Sequence, residues 1–175
     1  WYENDGSESF TLHVISASAS GAAGVYAADV DGDGDMDVLS ASGWAEKIAW
    51  HDNDGSESFT EHVIDASAGG AKSVYAADVD GDGDMDVLSA SLSDDKIAWY
   101  ENNGSESFTE HAITTSADYA YSVYAADVDG DGDMDVLSAS PNDDKIAWYE
   151  QGGPYTNVPD DNFEQALIDL GYDDT

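Results

Sequence analysis

The chain has 175 residues, which is enough for one domain or for part of a larger repeat protein. It carries 39 acidic residues against four lysines, and its formal net charge of −35 excludes nucleic acid and anionic membranes as expected partners, because both would be repelled. No cysteine and no run of about 18 apolar residues is present, so we expect neither disulfides nor a transmembrane helix.

A period of 49 residues runs from residue 1 to about residue 150. The stretch VYAADVDGDGDMDVLSAS occurs three times without change, at residues 25–42, 74–91 and 123–140. A period near 50 with strand-like composition is typical of β-propeller blades. The same step separates Trp1, Trp50, Trp99 and Trp148.

One repeat divides into four short runs that are rich in β-branched and aromatic residues and bounded by Gly, Asn, Asp and Ser, as strands are. Asn103-Gly104, between the third and fourth runs, predicts a tight type I′ hairpin turn. The predicted strands of this repeat are 74–79, 85–91, 96–101 and 108–113.

We therefore predict an all-β fold, a partial β-propeller of about three and a half four-stranded blades that forms an open arc. Both faces of the third strand are apolar, so neighbouring blades must supply the core, and the repeated tryptophans are assigned to this packing. The chain starts within a repeat, so we expect it to be part of a longer protein that holds the rest of the same propeller. The predicted blade parts are 1–16, 25–64, 74–113 and 123–150.

The composition changes after residue 150. Residues 151–159 are rich in Gly and Pro and predict a linker. Residues 160–175 predict a short C-terminal helix, in which Asp161 and Glu164 form an N-terminal capping pair and Gly171 is a stop signal. We expect this segment to begin a second domain.

The repeated stretch places five aspartates at alternate positions, which is unfavourable unless a cation lies among them. Loop positions are counted from Asp29 in the first copy. Carboxylates at positions one, three and five of a curled loop can point inward, and Gly32 and Gly34 allow the curl. Position seven offers a main-chain carbonyl and position nine another carboxylate. Ligands that are all oxygen favour Ca²⁺ and exclude Zn²⁺ and Cu²⁺ as natural metals.

Two known calcium motifs do not fit. An EF-hand needs a bidentate Glu at position twelve, where this chain has Ser40, Ser89 and Ser138, and a strand pattern follows in place of a helix. The repeated GGxG of calcium-binding β-helices is missing. An acidic turn that binds nothing is the remaining alternative, and the threefold occurrence within one frame argues against it.

The pattern D-x-D-x-D-G-x-x-D before an apolar strand, in repeats of this size, resembles the FG-GAP/VCBS repeats of integrin-α-like β-propellers over residues 1–150. The resemblance implies one Ca²⁺ in each loop between the first and second strands, three in this chain. The tail NVPDDNFEQALIDLGYDD is similar to the start of bacterial leucine-rich-repeat regions. The implied metal ligands are Asp29, Asp31, Asp33, Asp35 and Asp37; Asp78, Asp80, Asp82, Asp84 and Asp86; and Asp127, Asp129, Asp131, Asp133 and Asp135.

In an up-and-down blade, the aspartate loops and the turns between the third and fourth strands (three–four turns) lie on one face. The turns between the second and third strands (two–three turns) and the crossovers between blades lie on the other. The sequence hardly varies on the first face and differs between copies on the second, as on the binding surfaces of repeat proteins. We therefore expect a ligand to bind opposite the calcium loops. The candidate residues are Trp44, Lys72, Tyr119 and Tyr121.

These features predict a calcium-binding adhesion or recognition module that is extracellular or on a bacterial cell surface, with an extracellular protein or a glycan as its ligand. A carbohydrate-binding propeller and a non-catalytic propeller attached to a secreted polysaccharide-degrading enzyme are alternatives. No nucleophile–base pair, phosphate loop or carboxylate dyad occurs outside the aspartate loops, so we expect no enzymatic activity and no catalytic residues.

Overall fold

The computed structural model describes residues 1–152, and this part of the chain is built from thirteen β-strands. They are β1 (Tyr2–Asn4), β2 (Phe10–Leu12), β3 (Ala22–Ala28), β4 (Asp37–Ser42), β5 (Lys47–Asn53), β6 (Phe59–Asp65), β7 (Ala71–Ala77), β8 (Asp86–Ser91), β9 (Lys96–Asn102), β10 (Phe108–Thr114), β11 (Ser122–Ala126), β12 (Asp135–Ser140) and β13 (Lys145–Tyr149).

The strands form four antiparallel sheets in chain order, namely β1–β2, β3–β6, β7–β10 and β11–β13. Each strand pairs with its neighbours along the chain, so every sheet is an up-and-down blade, complete in the second and third blades. The prediction of an all-β, partial and open β-propeller is confirmed. The described residues contain no helix with the length and hydrophobicity that a membrane crossing requires. The predicted helix and second domain in 160–175 lie outside the described residues, as does most of the 151–159 linker.

The first strand of the third blade differs in its bounds from the prediction. It begins at Ala71, three residues before the predicted start, and ends at Ala77 instead of residue 79. The pairing with β8 shifts between Ala71 and Ser73, so Lys72 is the extra residue of a β-bulge that lets the strand continue. The strand stops at Ala77 because the next residue, Asp78, begins the aspartate loop.

The prediction of a type I′ turn between the third and fourth strands is wrong. In the turn after β9, positive φ occurs at Gly104 (69°) and Glu106 (59°), and not at Asn103. Asn103 N–H instead donates to Ser107 O, which closes a longer turn, and Asn103 Oδ1 accepts a hydrogen bond from Ser105 N–H at 3.0 Å. Asn in this position serves as a local acceptor for the backbone.

The core lies between blades. Leu39, Ile48 and Trp50 of the second blade are almost fully buried and pack in one cluster with Val74 and Val87 of the third. A second cluster joins the third and fourth blades in the same way. The predicted role of Trp50 in packing between blades is confirmed, and no blade buries its apolar faces alone.

A row of tyrosines links the innermost strands, and sequence reasoning missed it. Tyr26, Tyr75 and Tyr124 lie on β3, β7 and β11, and successive ring centroids are 4.5 Å apart in tilted geometry. Burial together with the neighbouring tyrosines raises the pKa of Tyr75 well above its usual value, so its hydroxyl stays protonated. The 49-residue spacing of the three tyrosines was the signal that could have revealed the row.

A polar contact centred on Asp65 joins the second blade to the third. Tyr100 donates its hydroxyl proton to Asp65 Oδ2 at 2.9 Å, and Lys96 Nζ lies 3.8 Å from the same oxygen. Burial acts to raise the pKa of Asp65, but hydrogen bonds from Ser67 and Tyr100 and the charge of Lys96 outweigh it, so this pKa lies below its usual value. Ionised Asp65 therefore stabilises the contact between these blades, and Thr114 stands at its position one repeat later.

Candidate metal centres

Each aspartate loop connects the first and second strands of a blade. In the loop after β3, Gly32 and Gly34 have φ of 78° and 98°, and an added Cβ at either would meet no atom within 4 Å. Space does not require glycine there; the left-handed backbone does. The glycines at the same positions of the other two loops show the same conformation.

Hydrogen bonds within the loop hold its aspartates in place. Asp29 accepts from Gly32 N–H at 2.8 Å and from Gly34 N–H at 3.1 Å. Asp31 Oδ1 accepts from Asp33 N–H, and Asp33 Oδ1 accepts from the amide two residues later, at 2.8 Å. The alternating carboxylates thus accept hydrogen bonds from backbone N–H groups a few residues later, and these bonds give the loop its compact shape.

The last aspartate of each loop is fully buried and ties three segments together. Asp86 Oδ2 accepts from Val79 N–H at 3.0 Å, and its Oδ1 accepts from Asn102 N–H, at the end of β9, at 2.7 Å. Asp37 and Asp135 make the equivalent pairs of bonds. The side-chain amide of Asn102 reaches the preceding blade, where it donates to Val30 O at 3.2 Å.

Within residues 1–152, three groups of aspartates bring one carboxylate oxygen each to within 4.8 Å of one another. Position nine takes part in the second and third groups, and position five replaces it in the first. Asp37, Asp82 and Asp131 are therefore outside the groups of their own loops. The three groups are Asp29, Asp31 and Asp33; Asp78, Asp80 and Asp86; and Asp127, Asp129 and Asp135.

The aspartate at position seven belongs to none of these groups, since its side chain lies against the turn between the third and fourth strands. A Cβ added to Gly55 would overlap the Asp35 carboxylate, and one added to Gly104 would overlap that of Asp84. The carboxylate of Asp133 lies near Gly152 in the same way. These contacts place both kinds of turn on one face of the blades, and the metal-binding role of the three main-chain carbonyls stays a prediction.

The loops carry the electrostatics of crowded carboxylates. Desolvation and the negative charge of neighbouring aspartates raise the pKa of Asp31, Asp80 and Asp129 above its usual value, against the opposing effect of an amide hydrogen bond. No lysine lies in any of the three loops. A divalent cation among the carboxylates would lower these pKa values, because its positive charge stabilises the ionised form.

The donor set fits a hard cation. Two oxygens on one Ca²⁺ can be up to about 5 Å apart, since each lies about 2.3–2.6 Å from the ion. In the second loop, Asp78 Oδ1 is buried and accepts no hydrogen bond within the described residues. A buried carboxylate oxygen without a partner is costly, and a metal ion would satisfy it.

The crossovers and the two–three turns share the opposite face, called the crossover face below. Ala68 N–H donates to Glu46 O at 2.8 Å, and Gly69 N–H donates to Asp94 Oδ2 at 2.6 Å, so one crossover holds the turns of two successive blades. The six residues of β4 separate the faces by about 20 Å. All four residues predicted for a ligand lie on the crossover face, and three of them line one cleft: Trp44, Lys72 and Tyr119.

Three tryptophan–histidine pairs repeat along the blades, and sequence reasoning did not foresee them. Trp99 stacks on His111 with ring centroids 4.7 Å apart, and His111 Nε2 lies 2.7 Å from Glu101. The other pairs have the same arrangement, each within its own blade. The histidines thus complete the packing of single blades and are not brought together in one metal site.

Comparison with known sequences adds the family. The family model described as "FG-GAP-like repeat" matches residues 1–40, 29–89, 79–138 and 127–172, four overlapping repeats that span nearly the whole chain. A comparison with curated proteins gives no match. The blades of the structure and the aspartate loops between their first and second strands follow the same repeat. On these grounds, the chain belongs to the FG-GAP-like repeat family.

Proposed function

We propose that this chain is a calcium-stabilised, non-catalytic recognition module of an extracellular or cell-surface protein. The single observation that carries the calcium assignment is the threefold grouping of aspartate oxygens within 4.8 Å, repeated with the blades. The buried Asp78 Oδ1 without a hydrogen bond supports it. The role of the ion is structural, because every loop also anchors a buried aspartate that joins three segments of its blade.

An extracellular setting agrees with the strength of such sites. Calcium sites of extracellular modules have dissociation constants of about 10⁻⁴–10⁻³ M, so they fill at millimolar calcium and empty at cytosolic levels. The charge of −35 favours the same assignment, since dissolved calcium reduces the repulsion among the carboxylates. In the longer chain that we propose, further blades of the same propeller would cover the outer faces of the first and last sheets.

Recognition is assigned to the crossover face. Its loops differ between repeats, whereas the metal loops are identical in sequence. A partner that binds at one particular site must contact loops that differ from those of the other repeats. The proposed ligand is an extracellular protein or a glycan. Calcium acts on this face indirectly, by fixing the blades about 20 Å away.

Calcium is expected to raise the melting temperature of the protein. At millimolar calcium each site contributes about 1 kcal/mol and three sites about 3 kcal/mol, which corresponds to a shift of about 5–10 °C for a domain of this size. The measurement is a circular dichroism melt in chelator, in calcium and in magnesium at matched ionic strength. Magnesium is the control for charge screening and should give the smaller shift. Identical melting curves in chelator and in calcium would contradict the proposal.

A further inference from the structure

The crossover face contains a cleft of about 380 Å³ that spans three blades. Its lining includes Trp44 of the second blade, Lys72 and Ser93 of the third, and Tyr119 from the crossover into the fourth. We propose that this cleft binds a neutral saccharide, with a sugar ring against the two aromatic side chains and Lys72 donating hydrogen bonds to its oxygens. The inference rests on the recognition role proposed above and narrows it to one class of ligand.

Trp44 is held in an exposed position. Its side chain is 85% exposed although tryptophan is the largest apolar residue, and the same position carries Ser93 and Asn142 in the other repeats. A Cβ on Gly21 would lie 2.6 Å from Trp44 N and 2.8 Å from its Cγ, so the indole is seated directly on a glycine. The structure thus fixes an aromatic face toward solvent without packing it into the core.

Tyr119 occupies a backbone conformation that the other repeats reserve for glycine. Its φ is 64°, and the equivalent Gly21 and Gly70 have φ of 70° and 66°. A side chain at positive φ is strained, and such strain is typical of functional positions. Tyr119 N–H donates to Asp95 Oδ1 at 2.8 Å, which holds this conformation. Tyr119 thus adds a second aromatic side chain to the lining of the cleft.

Lys72 supplies the polar part of the cleft. The other three lysines of the chain pair with carboxylates within the described residues, whereas Lys72 pairs with none there. Its Nζ lies 5.4 Å from the centroid of the Tyr121 ring, in cation–π geometry. The strand bulge at this position turns the residue toward the cleft. Its ammonium group keeps donors free for a ligand.

Charge and shape together select the ligand class. The net charge of −35 repels an anionic ligand, and the ammonium donors of Lys72 need a ligand that offers acceptor oxygens. The ligand that fits is uncharged, has apolar faces that match two aromatic rings, and offers oxygens that accept hydrogen bonds. Sugar rings combine these properties, since their C–H groups form apolar faces and their hydroxyls line the edges.

The test is an isothermal titration of the calcium-loaded chain with cellohexaose, laminarihexaose, xylohexaose, mannohexaose and maltohexaose, and with an oligomer of mannuronic acid as the anionic comparison. We expect one-to-one binding of at least one neutral oligosaccharide. Trp44→Ser and Tyr119→Gly, which install the residues of a neighbouring repeat, should each weaken binding about tenfold. Lys72→Ala should weaken it about fivefold. Tyr119→Gly should also raise the melting temperature, because glycine relieves the strain at this φ.

Tyr2→Ala is the matched control, since it removes an exposed aromatic side chain from the first blade, outside the cleft, and should leave the affinity unchanged. Failure of all neutral oligosaccharides to bind, preference for the mannuronate oligomer, or binding that survives the three substitutions would each overturn the inference. Calcium content is measured on the same samples. A chain that holds three calcium ions without binding saccharide contradicts this inference alone, whereas a chain without calcium contradicts the proposed function.

Discussion

Asp86→Ala is expected to lower the free energy of unfolding by about 3–5 kcal/mol, because the backbone N–H groups of Val79 and Asn102 lose their acceptor while buried. The side chain is fully buried and joins the loop, the second strand and the end of the third strand. The measurement is urea unfolding followed by far-ultraviolet circular dichroism, in calcium and in chelator. The loss should appear in both buffers, since these bonds are made by the protein itself.

Asp80→Ala separates the effect of the metal from that of the backbone. Asp80 is exposed, belongs to the same aspartate group, and accepts one amide hydrogen bond, from Asp82 at 3.2 Å. The Asp80→Ala substitution should destabilise the protein in calcium and have little effect in chelator. In chelator, the removal of one of several crowded carboxylates offsets the lost hydrogen bond. Equal effects of Asp80→Ala in the two buffers would contradict a metal site in this loop, and a neutral Asp86→Ala would contradict the anchoring role.

Trp50→Ala is expected to lower the free energy of unfolding by about 3–5 kcal/mol, the usual cost of removing a fully buried tryptophan. Trp50 is 1% exposed and lies in the cluster shared by the second and third blades. The cavity would open at the contact between blades, so the loss reports mainly on the stacking of the sheets, with a smaller part from the stacking of Trp50 on His62 within its own blade.

Trp148→Ala is the matched control, because Trp148 occupies the same repeat position and is 46% exposed in the described structure. Its removal should cost about 1–2 kcal/mol, in proportion to the smaller apolar area that it buries. The free energies of unfolding of the two variants are measured by urea titration, and equal m-values show that the two losses can be compared directly. Similar losses for both would show that contacts between blades do not provide the core.

Much of the fold could be predicted because the 49-residue period makes each element appear several times. The period, the alternation of strand runs and glycine-rich loops, and the apolar faces of the third strand together fix the blade and require neighbours to bury it. The arrangement of the two faces follows from up-and-down pairing alone. The aspartate loops were visible for the same reason, since carboxylates at every second position recur in three repeats.

Other features depend on geometry that the residue pattern does not encode. The early start of β7 arises from the bulge at Lys72, which is set by pairing with β8. The type I′ prediction failed at Asn103 because its side chain, as an acceptor for Ser105 N–H, favours a longer turn. The three loops are identical in sequence, so the sequence could not show that position five joins the first aspartate group and position nine the other two. The strain at Tyr119 becomes visible only when its φ is compared with those of the equivalent glycines.

The two faces of the arc have different proposed roles. The metal-loop face hardly varies between repeats and fixes each blade, and the crossover face varies and presents the aromatic cleft. Because β4 and its equivalents separate them, a substitution on one face removes no direct contact on the other, and calcium acts on the crossover face only through the stability of the blades. Calcium binding and ligand binding can therefore be tested independently in the same protein.

Calorimetric titration of the metal-free chain with calcium chloride, with the bound metal counted by mass spectrometry, shows whether the aspartate groups hold calcium. Three calcium ions per chain are expected, one for each aspartate group, with dissociation constants of about 10⁻⁴–10⁻³ M. A chain that remains folded, binds no calcium and gives no heat of binding in this range would contradict this expectation.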